Sequence, residues 1–330
     1  MKEPWFWKSD ALLARGIALA LSPLGHAYTL AQQLKHRYTK GYRANAKIIC
    51  IGNVTLGGTG KTPFSIALAK AILVQHEALR GKIFFLTRGY GGNEPGPLLV
   101  DLTNHGAEDV GDEALLLARH FPTIVAKSRI EGAKLCTEKD AKLIIMDDGF
   151  QNPSVERDLD ILLLGTKASF GNGHVFPAGP LREPLRMATS RAGLVVQLDG
   201  TNPLIAAPPA WRAHVSSMVS FANTPVVAFC GIANPERFFQ TAKQAGADLV
   251  ANVAFPDHHR ISPQELRELR KKAKAKSAQL LTTEKDLMRL PAGERADIAV
   301  LPITITLEEE AAFVQNVMAF IDRGEGWSAP

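Results

Sequence analysis

From residue 47 onward, short apolar runs alternate with stretches whose apolar positions recur every three or four residues. Residues 47–52 (KIICIG) are a continuous apolar run of the kind a strand carries when both its faces are covered. Ile66, Leu68, Ala69 and Ile72 then give residues 61–75 a helical period. The alternation continues with strands expected at 82–87, 123–126, 143–146, 160–164 and 193–197, and helices at 111–120 and 129–139. Strands separated by helices of this length build βαβ units, so the expected class is α/β with a doubly wound, mainly parallel sheet.

The pattern breaks at 200–225, where Pro203, Pro208, Pro209 and Pro225 fall and no clear helical period survives. Beyond it the alternation resumes on a smaller scale. Strands are expected at 226–230, 248–254, 279–282 and 298–305, and helices at 235–245 and 308–323. Ser262, Pro263 and Glu265 mark another helix start: an N-cap hydroxyl, proline in the first turn and the glutamate of a capping box. A chain of 330 residues exceeds what one core usually serves. The expected plan is an N-terminal helical segment at 1–46, a first α/β domain at 47–200, a linker at 201–225, a smaller α/β domain at 226–305, and a C-terminal helix at 306–330 that packs back on the first domain.

The first 46 residues follow another rule. Residues 11–34 are strongly apolar, but Arg15 and the pair Ser22-Pro23 interrupt them, leaving too little for the ~20 residues of a membrane span. Trp5, Phe6 and Trp7 precede the apolar part and most basic residues follow it, the reverse of a secretory signal. The chain's net charge is +5, yet residues 1–47 alone carry +6: Lys2, Lys8, Arg15, Lys35, Arg37, Lys40, Arg43 and Lys47 against Glu3 and Asp10. A basic, apolar, Trp-bearing segment points to an anionic membrane surface and away from nucleic acid. The expectation is a pair of amphipathic helices in the interfacial plane, with Trp5 and Trp7 at headgroup depth. The competing expectation is a helix packed on the core. Cys50, Cys136 and Cys230 are scattered and form no CxxC, which fits buried thiols in a reducing compartment.

The chemistry concentrates in a few loops. Asn53, Val54, Thr55, Leu56, Gly57, Gly58, Thr59, Gly60, Lys61 and Thr62 lie between an expected strand and an expected helix, the setting of a phosphate-binding P-loop. Glycines let several backbone N–H groups point inward, the helix adds its positive end, Lys61 reaches the outer phosphates and Thr62 offers a hydroxyl to Mg²⁺. Thr55 stands where the strict pattern has its first glycine. The run LIIMDDGFQ places Asp147 and Asp148 at the end of an apolar strand, as expected of carboxylates near that metal. Arg88, in RGYGG after the second strand, is a candidate phosphate contact. Asp112 and Glu113 open a helix, where acids also serve as caps. Asp257, His258 and His259 form a polar loop.

In order, NVTLGGTGKTP, TRGYGG, VGDEALLLA, MDDGFQN, FPAGPLREP, FPDHH and TTEKD resemble the tetraacyldisaccharide 4′-kinases of lipid A biosynthesis, over most of the chain. The resemblance implies two α/β domains joined by a two-stranded linker, working at the cytoplasmic face of the Gram-negative inner membrane. It implies transfer of the ATP γ-phosphate to the 4′-hydroxyl of an acylated disaccharide 1-phosphate, with ATP and Mg²⁺ and no obligate protein partner. By motif, Asp112 is implied as general base and His258 as the group that orients or tunes it. Glu113, Asp147, Asp148 and Glu183 are implied near the metal and phosphates, and Arg182 as a further phosphate contact. The alternative is a GTPase-like or metallochaperone switch at a membrane. That reading needs an NKxD-like strand end, and the nearest match, Thr283-Glu284-Lys285-Asp286, has Glu in the Asn place.

Overall fold

The computed structural model describes residues 3–200, 211–217 and 219–322. Thirteen strands form two sheets among these residues. In chain order they are β1 (Lys47–Asn53), β2 (Ile83–Thr87), β3 (Leu98–Leu99), β4 (Thr123–Val125), β5 (Leu143–Asp147), β6 (Leu159–Leu164), β7 (Leu194–Leu198), β8 (Trp211–Ser216), β9 (Pro225–Cys230), β10 (Asp248–Ala254), β11 (Gln279–Thr283), β12 (Ile298–Leu301) and β13 (Thr304–Leu307). The helices are α1 (Leu12–Tyr38), α2 (Lys61–Gln75), α3 (Ala107–Val110), α4 (Asp112–Ala118), α5 (Arg129–Glu138), α6 (Leu185–Arg191), α7 (Pro235–Gln244), α8 (Pro263–Ala275), α9 (Glu284–Arg289) and α10 (Glu310–Asp322).

The larger sheet runs β13-β8-β7-β6-β1-β5-β2-β4-β3. Its pairs are parallel except at the two edges, where β13 meets β8 and β3 meets β4 antiparallel. β1 lies between β5 and β6 and is covered on both faces, which explains its unbroken apolar run. Ile49 and Ile51 face a core with Phe64, Leu68 and Ile72 of α2, while Ile48 and Cys50 face one with Ala133 and Cys136 of α5. The smaller sheet, β10-β9-β11-β12, is wholly parallel and is also covered on both sides.

Three elements differ from the sequence expectation. The run 298–305 is two strands, because β12 pairs with β11 in the smaller sheet while β13 crosses to the larger one. In the expected linker, 201–210 lie outside the described residues, and 211–216 form β8, which extends the larger sheet from β7. After β13, α10 packs Phe313 edge-on against Phe64 of α2, ring centres 6.1 Å apart.

The third difference is at the N-terminus, where one continuous helix replaces the expected pair. Pro23 lies inside α1 and has no N–H to give the Leu19 carbonyl, but the Ser22 hydroxyl donates to that carbonyl at 2.9 Å. The helix is amphipathic in an inverted sense. Ala14, Ala18 and Gly25 are buried against the body, while Leu12, Leu19, Leu30 and Leu34 share the opposite, exposed face. Gly25 is required by close approach, since a Cβ there would lie 3.0 Å from the Val175 carbonyl oxygen. Trp7 is not available to a membrane: it is buried, stacks edge-on against Phe176 and donates from Nε1 to the Pro177 carbonyl at 3.2 Å. Trp5 is exposed. Among the described residues no helix is long and apolar enough to cross a membrane.

Candidate active site

The loop 53–62 leaves the carboxyl end of β1 and turns into α2. Gly60 caps α2 with φ +89° and Gly57 has φ +111°, so the left-handed positions fall on glycines. Thr55 needs no such freedom. It is buried, and Asn53 Nδ2 donates to its carbonyl at 2.8 Å and to its Oγ1 at 3.1 Å, so the threonine holds the turn through its side chain. Lys61 Nζ lies 3.1 Å from Asn53 Oδ1 and 3.7 Å from Asp148 Oδ1.

Both strand-end aspartates reach this loop. The Thr62 hydroxyl donates to Asp147 Oδ2 at 2.8 Å, and Ser65 donates to its other oxygen at 3.3 Å. Burial pushes the Asp147 carboxyl up to about 6, helped by Glu113 and opposed by Lys61. Asp148 adopts φ +57°, turns toward Lys61 and is gripped by Arg182 at 2.8 and 3.2 Å. Burial would raise its carboxyl, but Lys61 and Arg182 overcome this and hold it at about 2.

Arg182 belongs to the FPAGPLREP segment, more than a hundred residues beyond the P-loop in sequence. In the fold, that segment pairs with the P-loop. Leu56 N donates to the Pro180 carbonyl at 2.8 Å and Arg182 N to the Val54 carbonyl at 2.6 Å. Glu183 is buried there, but its oxygens already accept from Arg191 at 2.8 and 3.1 Å and from Gln151 at 3.0 Å. Its carboxylate is therefore held by a cation and an amide, whereas Asp147 is held by two hydroxyls and, among the described residues, by no cation. Gln151 also donates to the Asn53 carbonyl at 2.9 Å, tying the loop to the strand end. Its position after MDDGF is the one sequence signal for that role.

Asp112 and Glu113 open α4 on the side facing the smaller sheet. The RGYGG glycines serve this placement. A Cβ on Gly92 would lie 2.5 Å from the Asp109 carbonyl, and Gly111, with φ +87°, would strike the Tyr90 carbonyl at 2.4 Å. The two loops interlock, and Asp112 follows at once. Arg88 is exposed just beyond β2.

Glu113 Oε1 accepts from Lys285 at 2.6 Å. Lys285 lowers the Glu113 carboxyl despite burial, and Lys61 adds to the effect, which sets this pair beside the P-loop. Asp112 is buried; burial alone would raise its carboxyl, but His258, Lys285 and Arg289 hold it well below the usual carboxylate range. His258 Nδ1 lies 3.6 Å from Asp112 Oδ2, and Arg289 Nη2 reaches both groups, at 3.2 Å to the histidine. The two histidines of the loop divide. His258 faces Asp112 with Tyr90 against its ring, whereas His259 stacks on Phe255 and binds Glu265 at 3.0 Å, at the start of α8.

The TTEKD run is used internally, which removes the guanine-recognition alternative. Thr283 caps α9, and buried Asp286 accepts from Gly231 N at 3.1 Å, Thr283 Oγ1 at 2.7 Å and Arg289 at 2.7 Å. Lys285 faces Glu113. Arg289 escaped the sequence reading because it stands three residues past TTEKD, outside the motif, at the far end of a short helix.

Residues 17–322 match the family model for tetraacyldisaccharide-1-P 4′-kinase. A tetraacyldisaccharide 4′-kinase of Paramagnetospirillum magneticum is 42% identical over 92% of this chain and 94% of its own length. One from Methylobacterium nodulans is 43% identical over 97% of this chain and 96% of its own. The crystal structure of the Aquifex aeolicus LpxK in complex with ATP superposes with a TM-score of 0.72 at 25% identity, covering 92% of this chain and 99% of that one. The chain belongs to the tetraacyldisaccharide 4′-kinase family.

Proposed function

We propose that Asp112 is the general base in the reaction of this family, the ATP-dependent phosphorylation of the 4′-hydroxyl of a tetraacyldisaccharide 1-phosphate. The observation that carries the assignment is the meeting of two clusters. A P-loop with Lys61, Thr62, Asp147 and Asp148 lies beside Glu113 at the start of α4, and the residue before Glu113 is the buried, ionised carboxylate of Asp112. Phosphoryl transfer is mostly positioning and charge stabilisation. The P-loop amides and Lys61 hold the outer phosphates, and Arg182 steadies Asp148 beside them. Asp112 accepts the hydroxyl proton as the new P–O bond forms and the bond from the γ-phosphorus to the ADP leaving group breaks. His258, from the smaller domain, lies next to Asp112, so bringing the domains together completes the site and excludes water.

Thr62 and Asp147 are oxygen donors of the type Mg²⁺ takes, and they converge at the start of α2. The ion, when bound, neutralises charge on the β- and γ-phosphates. We assign it to Thr62 and Asp147, with Asp148 adjoining. Glu113 and Glu183 are engaged by Lys285 and Arg191.

The acylated substrate lies in a membrane, and the leucine face of α1 with its flanking cations suits an anionic leaflet. On this reading the enzyme works as a peripheral protein at the cytoplasmic face of the inner membrane. The test of the base is Asp112→Asn, assayed with labelled ATP and the disaccharide lipid. Phosphate on the lipid should fall on the order of a hundredfold or more with ATP affinity retained. A parallel loss of ATP affinity would make Asp112 structural.

A further inference from the structure

Arg289 is the last residue of α9, and its side chain is only 6% exposed. Its Nη1 faces the smaller sheet, donating to the Gly231 carbonyl and to Asp286 Oδ1, both at 2.7 Å. Its Nη2 faces the transfer site, donating to Asp112 Oδ2 and to His258 Nδ1. One planar cation thus joins the end of β9, α9, the turn carrying His258 and the start of α4.

We propose that Arg289 is a positioning residue for the phosphoryl transfer, bridging Asp112 and His258 so that base and partner keep one geometry. The inference rests on the assignment of Asp112 as base. Three features carry it. The guanidinium is held from behind, because Asp286 is itself fixed by Gly231 N and Thr283 Oγ1, so the fork cannot drift without disturbing the end of β9. One Nη2 carries two hydrogens, so it addresses the Asp112 carboxylate and the His258 ring at once. Arg289 also occupies Asp112 Oδ2, and among the described residues no hydrogen bond reaches Oδ1. Oδ1 is therefore the oxygen presented to the substrate hydroxyl.

A plain counter-ion would need only charge, which a lysine supplies. A bridge needs donors in two directions from one rigid plane, which only arginine supplies. Lys285 shows the contrast nearby, answering Glu113 through a single ammonium.

The experiment compares Arg289→Ala, Arg289→Lys, Asp112→Asn and the double variant Arg289→Ala/Asp112→Asn, using labelled ATP and the disaccharide lipid 1-phosphate. Arg289→Ala should lower kcat on the order of a hundredfold, the scale of losing alignment near a reacting centre, with KM for ATP changed by less than about threefold. Guanidinium ion in the assay should restore about tenfold to Arg289→Ala and nothing to Asp112→Asn. The double variant should be no slower than Asp112→Asn within about threefold, as residues acting as a unit behave. Arg289→Lys, which keeps the buried charge and protects the fold, should still lose about tenfold in kcat. Normal kcat in either Arg289 variant beside an inactive Asp112→Asn overturns the inference alone, as does a loss that guanidinium leaves untouched and that adds in full to Asp112→Asn. Full turnover in Asp112→Asn overturns the base assignment instead.

Discussion

Arg182 holds Asp148 through two hydrogen bonds, at 2.8 and 3.2 Å, across 34 residues of sequence. The carboxylate they fix stands 3.7 Å from Lys61, so two cations share one anion at the mouth of the P-loop. Geometry of this kind depends on a fork, not on charge alone. Arg182→Lys should therefore lose about tenfold or more in kcat/KM for ATP. Steady-state kinetics with varied ATP checks this, and a lysine variant at wild-type efficiency would show that charge alone suffices.

Lys61 is the one P-loop side chain that carries a positive charge. Lys61→Ala should reduce turnover on the order of a hundredfold or more, the cost of removing a preorganised charge stabiliser. Its fold should persist, because its partners Asn53 and Asp148 keep bonds to Thr55 and Arg182. Turnover assays with a thermal melt alongside separate the two effects. Near-normal turnover would remove Lys61 from the mechanism.

The exposed face of α1 predicts a membrane phenotype without a folding phenotype. Leu12 and Leu19 are 86% and 72% exposed, so Leu12→Ser with Leu19→Ser should leave thermal stability within about 0.5 kcal/mol, as for surface changes. Co-sedimentation with anionic vesicles should weaken, and added salt should weaken it further. Unchanged sedimentation would leave the leucine face without a membrane role.

His36 gives a pH dependence. It sits on α1 against Arg191, and its Nε2 is buried with no hydrogen-bond partner among the described residues. Burial first, then Arg191 and Arg157, bring its pKa down from the ordinary 6.5 to about 4. The folded state thus resists a proton that the unfolded chain takes up. This contribution to stability is intact above pH 6.5 and declines as pH falls from 6.5 towards 4. Melting temperatures across that window should fall less steeply for His36→Gln than for wild type. Parallel curves would mean that His36 titrates normally.

Phe313 of α10 is fully buried against Phe64 of α2. Phe313→Ala should destabilise the larger domain by about 3–5 kcal/mol through a cavity at that contact. Denaturant unfolding followed in that domain tests it, and a change below about 1 kcal/mol would mean the C-terminal helix contributes little to the core.

Local information in the chain was enough for the α/β class, the P-loop, the Asp147-Asp148 strand end and the capped helix at Ser262. Each depends on periodicity or on groups a few residues apart, and such patterns survive in one dimension. The basic, apolar N-terminus was equally legible, but not its form. Whether Pro23 breaks the helix turned on one hydroxyl reaching one carbonyl, and whether Trp7 meets lipid turned on Phe176, far along the chain.

Tertiary structure alone decided how the charges are shared. The family resemblance implied Glu113, Asp147, Asp148 and Glu183 together as carboxylates near a metal, without dividing their roles. In the fold Lys285 takes Glu113, Arg191 takes Glu183, and Asp147 remains with Thr62. Arg289 comes to Asp112 across 177 residues. A carboxylate's role is set by the cations within a few ångströms of it, and that distance is a property of packed elements, which no local spacing encodes.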